Sequence, residues 1–369
     1  MPTISLCMIV KNEESNLSHC LDSVAGAVDE IVIVDTGSTD RTLEIARTYT
    51  DCIEHFEWID DFAAARNYAF SKANMEYILW LDADDTFSDI DYRALLALKK
   101  TLSSSVDSVS MNYYLSFDEY GKPSSKLRRN RLVRRDRHYR WIGAVHEYLE
   151  VFGNMMYSDI AVTHHPSEGH SGRNLAIYDK RLAQGERFST RDLFYYANEL
   201  KDHGRYEAAI RYYEQFLTTK KGWIEDNIAA CGRLADCYSG LDEPQRHLES
   251  LFRSFEYDSP RPEFCCRIGF YFLEQQAYSQ ASYWYRQAAE LAESDRAAAD
   301  WSLSSMACTT WLPHLQLCVC YDRMGRYDEA YRENERAAQY RPGDPRIISN
   351  RQYLQGRLDV IAKGETVLG

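Results

Sequence analysis

The stretch ILWLDADDTF, residues 78–87, runs from an apolar segment straight into Asp82, Asp84 and Asp85, with one alanine among them. Like charges repel and desolvation is costly, so three acids closing a buried strand call for a cation or for hydrogen-bond donors beside them. On the residues alone, three readings stand. The acids could cap the next helix, with Asp85 or Asp89 as the cap, or decorate a solvated turn. They could also hold a divalent metal, since Mg²⁺ is usually bound by one or two carboxylates together with substrate phosphates.

Working outward, the first half alternates short apolar runs with helical patterns. ISLCMIV and EIVIVDT read as strands, while NLSHCLDSVAGA, DRTLEIARTYT and AAARNYAFSKA read as helices, and YILWLDA closes the series as a third strand. That order predicts a mainly parallel α/β sheet covered on both faces, with ligands at the carboxyl ends of the strands. Those ends are Lys11-Asn12-Glu13, Asp35-Thr36-Gly37-Ser38 and Asp82-Ala83-Asp84, all polar. Asp40 is placed to cap the helix that follows the second strand.

From about residue 190 the texture becomes helix upon helix, rich in Tyr and Ala. Ala209, Ala281 and Ala330 each follow a tyrosine three residues earlier, at spacings of 72 and 49 residues. The first gap is near twice the roughly 34-residue tetratricopeptide period, with a weaker unit between; the second fits one unit plus an insertion. Stacked helical hairpins of this kind leave a groove suited to binding, although core packing alone accounts for any single tyrosine. The predicted domains are 1–172 for the α/β part, 173–189 for a connecting helix and 190–369 for an all-α tetratricopeptide-like repeat.

With 45% hydrophobic and 27% charged residues, the composition is that of an ordinary globular protein, and 369 residues suffice for two cores. A net charge of −13 argues against a nucleic-acid partner. No run of eighteen apolar residues predicts a membrane span, and the expected location is cytoplasmic. Ten cysteines without CxxC spacing read as reduced core thiols rather than a zinc site. Residues 126–140 carry eight Lys or Arg and a single acid, Asp136, which reads as a phosphate-contacting run, a solvated face or a nucleic-acid patch.

Together SLCMIVKNEESNLSHCLDSV, EIVIVDTGSTDRT, DFAAARNYAF and YILWLDADDTF, followed by RLVRRDRHYRWIGAVHEYL and AVTHHPSEGHSGRN, resemble the family-2 glycosyltransferases of the GT-A fold. The set is most similar to the bacterial branch with a C-terminal tetratricopeptide domain, which includes the sublancin-type peptide S-glycosyltransferases. The resemblance implies a metal-dependent, inverting transfer of a hexose from a nucleotide sugar, UDP-glucose or UDP-N-acetylglucosamine, to a Ser, Thr or Cys side chain. The acceptor peptide or protein would dock on the helical repeats, and a homodimer is left open. A cell-envelope saccharide or lipid-linked acceptor is the alternative. An inactive nucleotide-binding adaptor is the remote one.

Position by position, the resemblance implies that Ile9, Lys11 and Glu13 contact the donor nucleoside and that Asp35 reads the base or ribose. Many relatives have DDGS where this chain has Asp35-Thr36-Gly37-Ser38, so one acid of the base-reading set is absent. Arg66 and Asn67 fall on the nucleotide side, or serve only their helix. Asp82 and Ala83 fall at the ribose or sugar. Asp84 and His164 fall where Mg²⁺ or Mn²⁺ is held, with His165 and His170 as alternatives to the histidine. Arg131 and Arg134 match diphosphate-contacting arginines. Glu147 is the expected general base, with His146 as the alternative.

Overall fold

The computed structural model describes residues 1–119, 121, 123–165, 172–293 and 304–362. Its strands are β1 (Ile4–Val10), β2 (Glu30–Asp35), β3 (Ile53–His55), β4 (Tyr77–Trp80), β5 (Asp85–Thr86), β6 (Ser108–Phe117), β7 (Pro123–Arg134), β8 (Arg140–Ile142), β9 (Tyr148–Glu150) and β10 (Met155–His164). The main sheet runs β3-β2-β1-β4-β7-β6-β10-β5. β1 pairs parallel with both β2 and β4, and β2 with β3, as the alternating pattern requires. β8 and β9 form a separate antiparallel pair.

Side-chain alternation divides the core into two layers. Ile4, Leu6, Met8, Val10, Ile33 and Leu79 belong to the layer on one face of the sheet, with Leu17, Leu21, Leu95 and Leu98 from α1 (Leu17–Asp22) and α4 (Asp89–Thr101). Cys7, Val32, Val34, Ile78 and Trp80 belong to the other layer, with Ala63 and Ala69 of α3 (Phe62–Lys72). This is the doubly covered, mainly parallel architecture expected of a GT-A domain.

Strand direction fixes what reaches the site. β7 is antiparallel to β4 and to β6, and β10 is parallel to β6. β10 therefore runs the same way as β4, and His164 arrives at the edge where β4 releases Asp82. Arg134, at the far end of β7, pairs in register with Tyr77 at the start of β4. It is carried to the opposite edge of the sheet.

α2 (Thr42–Ala46) follows β2, and the expected cap is present: Asp40 Oδ1 accepts from the Thr42 amide at 3.0 Å. α4 is capped by Ser88, whose hydroxyl accepts from the Asp91 amide at 3.2 Å. Asp85 and Asp89 therefore do not cap it, and Asp85 is buried instead.

The chain divides into two compact units at Arg187, not at 172. α5 (Arg173–Ala183), expected as a connector, packs within the first unit: Tyr178 is buried, Lys180 pairs with Asp60, and the Arg173 guanidinium lies 4.7 Å from the Phe62 ring centroid. The second unit consists of the hairpins α6 (Thr190–Asp202) with α7 (Tyr206–Thr218), α8 (Ile224–Gly240) with α9 (Pro244–Arg253), α10 (Pro262–Glu274) with α11 (Tyr278–Ala292), α12 (Trp311–Arg323) with α13 (Tyr327–Tyr340), and the closing α14 (Pro345–Ala362). Ala209, Ala281 and Ala330 are fully buried at the fourth position of α7, α11 and α13. In α9 that position is His247, whose Nδ1 lies 2.9 Å from the Ala235 carbonyl oxygen. A side chain that must satisfy a polar atom replaces the alanine there, which is why this repeat reads weakly.

Candidate active site

The ends of β1, β2, β4 and β10 and the first turn of α5 surround a cavity of about 360 Å³. That is within the usual size for a small-molecule site. Of the residues expected to serve it, Ile9, Lys11, Glu13, Arg66, Asp82, Ala83, Asp84, Arg131, His146, Glu147 and His164 all line its wall. Burial pushes the Glu13 carboxyl up, with Asp84, Asp82 and Asp40 adding to it, so the wall near β1 is already rich in negative charge.

Asp84, Asp85 and His164 come together at this cavity, with Asp84 and His164 in its wall. One ligand atom from each lies within 4.8 Å of the others. Register explains the meeting, because β5 and β10 pair with His164 opposite Asp85. His164 Nδ1 is 3.5 Å from Asp84 Oδ1 and 3.6 Å from Asp85 Oδ1, longer than hydrogen bonds. Both His164 Nδ1 and Asp85 Oδ1 are buried without a hydrogen-bond partner. Two orphaned buried atoms, one nitrogen and one carboxylate oxygen, facing a second carboxylate are a donor set that fits a divalent cation. The carboxylates of Asp84 and Asp85 beside it push the His164 imidazole up to about 10. Asp85 completes this trio, a position the sequence assigned to capping.

Beside the trio lies a cluster of aromatic rings and guanidinium groups. Arg66 sits 4.8 Å from the Trp141 ring and 5.1 Å from Trp80, and Arg131 sits 3.9 Å from Trp80 and 4.4 Å from Tyr113. Trp80 and Trp141 themselves meet edge to face at 4.7 Å, so Arg66 lies against both indoles while Arg131 lies against Trp80 and Tyr113. Arg66 Nε donates to Glu147 at 2.6 Å, and its Nη2 donates to Asp82 at 2.7 Å. Arg131 is fully buried and pairs with Asp85 at 2.9 Å. Burial pushes the Asp85 carboxyl up, but Arg131 and His164 outweigh it and hold the group below the ordinary range. Arg131 therefore supports the acidic turn from below, and its burial leaves it no surface for a diphosphate.

Three expected residues are placed differently. Arg134 is half a sheet away, bonded to Asp136 and to the Ser104 carbonyl. Asn67 does not line the cavity; its side chain donates to the Trp141 carbonyl and accepts from the Trp141 amide, both at 2.9 Å, and so fixes β8 to α3. Asp35 is buried at the end of β2 and accepts from the Gly37 and Ser38 amides at 3.1 and 3.0 Å, holding the turn on which Gly37 takes φ +101°. His165 accompanies Thr86 outside the trio, with its Nε2 at 2.8 Å from the hydroxyl. His170 lies outside the described residues.

His146 takes φ +51°. A non-glycine residue in the left-handed region costs energy and is kept where the surroundings impose it. Gly143, at φ +101°, begins the same turn and lets it present His146 and Glu147 side by side to the cavity. The wall also contains Arg129, from the basic run 126–140, and Trp58, Phe62, Arg173 and Asn174, to which the sequence gives no role. Trp58 and Phe62 meet edge to face at 4.8 Å. The aromatic spacing around the start of α3 was the available signal for these two; for Arg173 it was the run GHSGRN within an already matching segment.

Residues 5–161 match the profile described as Glycosyl transferase family 2. The SPbeta prophage-derived glycosyltransferase SunS of Bacillus subtilis is 28% identical over 235 residues, covering 60% of this chain and 54% of that protein. A TPR repeat-containing protein of Synechococcus elongatus is 49% identical over 85 residues, covering 23% of this chain and 21% of that protein. Among solved structures, a crystal structure of MamA is similar at TM-score 0.35 and 19% identity, over 46% of this chain and 84% of that one. The chain thus spans about half or less of these two curated relatives. Among the described residues, no helix is long and apolar enough to cross a membrane.

Proposed function

We propose that this chain, whose residues 5–161 form a family-2 glycosyltransferase domain, transfers a hexose from a UDP-sugar to a peptide or protein side chain. The observation that carries this reading is the trio Asp84, Asp85 and His164, of which Asp84 and His164 line a cavity that also presents His146 and Glu147. Mg²⁺ or Mn²⁺ held by the trio would supply Lewis-acid stabilisation of the charge that develops on the diphosphate. The sugar's anomeric carbon loses its bond to the diphosphate oxygen, which leaves with the electron pair. The acceptor oxygen or sulfur forms the new bond from the opposite face, and its proton passes to the base.

We assign that proton to Glu147, which lines the cavity. Its Oε1 is bound to Arg66, while its Oε2 has no hydrogen bond among the described residues. A thiol acceptor, which ionises near 8.5, demands less help from a base than an alcohol does. His146 is the second candidate, carried on the same strained turn. Asp82, oriented by Arg66, faces the donor sugar or ribose, and Ile9, Lys11 and Glu13 border the nucleoside.

The helical unit is assigned to the acceptor. Stacked hairpins form extended binding surfaces, and the SunS resemblance supports a peptide substrate. The test is a panel of UDP-hexoses with Mn²⁺, followed by mass spectrometry of Ser-, Thr- and Cys-containing peptides. A gain of one hexose mass on a peptide is expected, and transfer only to saccharide or lipid acceptors would overturn the peptide assignment.

A further inference from the structure

The arginines in the cavity wall differ in what they already hold. Arg66 is bound to Glu147 and Asp82, and Arg131 is bound to Asp85. Arg173 lines the same cavity as Asp84 and His164, is exposed, and makes no ion pair with any described carboxylate. Its guanidinium lies 4.7 Å from the ring centroid of Phe62, another residue of the wall, so that ring orients it. Desolvation lowers its basicity, although Glu13 and Glu147 act in the other direction. A partly desolvated guanidinium without a counterion, beside a cavity with a cation-fitting trio, is complementary to an anion that bridges the two. The planar fork suits phosphate oxygens in particular.

We propose that Arg173 is a donor-contacting catalytic residue that binds the diphosphate of the nucleotide sugar and stabilises it as the leaving group. This rests on the reading of the cavity as a nucleotide-sugar site. In the transfer step the bond between the anomeric carbon and the β-phosphate oxygen breaks, and that oxygen keeps the electron pair. Arg173 donates hydrogen bonds to the non-bridging oxygens and stays protonated throughout. The acceptor's proton goes to Glu147, so no proton leaves or enters the guanidinium. The role that the sequence gave to Arg131 and Arg134 falls to an arginine some forty residues later, because α5 packs with the catalytic unit.

Isothermal titration of the full chain with Mn²⁺ tests this, using UDP and GDP with uridine and guanosine as their phosphate-free counterparts. Arg173→Gln is expected to weaken binding of the diphosphate about ten- to a hundredfold, and to leave the nucleoside within about twofold. Arg173→Lys should restore part of the loss, since it returns the charge without the fork. Arg173 is exposed, so the thermal midpoint of both variants should match the parent. Unchanged diphosphate affinity in Arg173→Gln overturns the proposal, and so does an equal loss for diphosphate and nucleoside, which would mark Arg173 as a wall for the base. If the parent chain binds neither diphosphate with Mn²⁺, the nucleotide-sugar reading itself fails and takes the proposal with it. That outcome is distinguishable because it appears before any substitution.

Discussion

Replacing Arg131 by methionine should destabilise the sheet out of proportion to the residue's size. The substitution leaves Asp85 fully buried beside Asp84, without the guanidinium that offsets its charge at 2.9 Å. Breaking a buried pair in this way costs about 3–5 kcal/mol. Removing both charges is a different matter. Arg131 has two buried nitrogens, Nε and Nη2, without hydrogen-bond partners, and ring faces at 3.9 and 4.4 Å take their place. A methionine can fill the slot between Trp80 and Tyr113, and an asparagine at 85 keeps an oxygen for the Asp82 amide now bound at 3.1 Å. The double variant Asp85→Asn, Arg131→Met should therefore regain at least about 2–3 kcal/mol of the loss.

Because the chain has two units, a global unfolding curve is not a two-state measurement. Hydrogen exchange followed by mass spectrometry on the peptides covering 77–87 and 126–134 reads the affected strands directly. Protection there should fall about a hundredfold or more in Arg131→Met and recover most of the way in the double variant. Losses that add, with the double variant as exposed as the sum of the singles, would refute the pairing as the reason Arg131 is buried.

Other consequences follow from the same contacts. Asn67→Ala should lower the local stability of α3 and β8 by about 1–3 kcal/mol, through two lost hydrogen bonds to Trp141, while nucleotide affinity stays within about twofold; hydrogen exchange on the peptides covering 62–72 and 140–142, beside UDP titrations, separates the two. Arg134→Ala, at the far edge of the sheet, should leave UDP affinity in Mn²⁺ unchanged, in contrast to Arg173→Gln. Burial pushes the Asp226 carboxyl up to about 6, with Arg191 nearby opposing the shift. The folded state then holds this proton more tightly than the unfolded chain, so the contribution is favourable at pH 4 and is lost as pH rises toward 6. Asp226→Asn should accordingly stabilise the helical unit at pH 7.5 by an amount on the order of 2–3 kcal/mol and have little effect near pH 4. Parallel pH profiles for the two proteins would contradict this.

The elements that the sequence made legible are those with local signals. β1 and β2 begin and end close to where the apolar runs do, and the strand ends delivered Lys11, Glu13, Asp82 and Asp84 to one edge. The residues misplaced are those whose position depends on strand direction. β7 carries five arginines and lysines in one strand, and only antiparallel pairing with β4 decides that Arg131 turns into the core while Arg134 leaves the site. Asp85 reads as a cap until β10 brings His164 beside it. α5 reads as a linker because its amphipathic pattern does not say which unit it packs on. Asn67 had the polar character of a ligand, and its backbone partners in β8 are distant in sequence.

The most direct test is release of UDP from UDP-hexoses by the full chain with Mn²⁺, run beside electron paramagnetic resonance of bound Mn²⁺ for the parent and Asp84→Ala. The trio predicts metal-dependent release in the parent, with both bound Mn²⁺ and release lost in Asp84→Ala. Full release by Asp84→Ala, or release unaffected by a chelator, would contradict a metal-assisted transfer at this site.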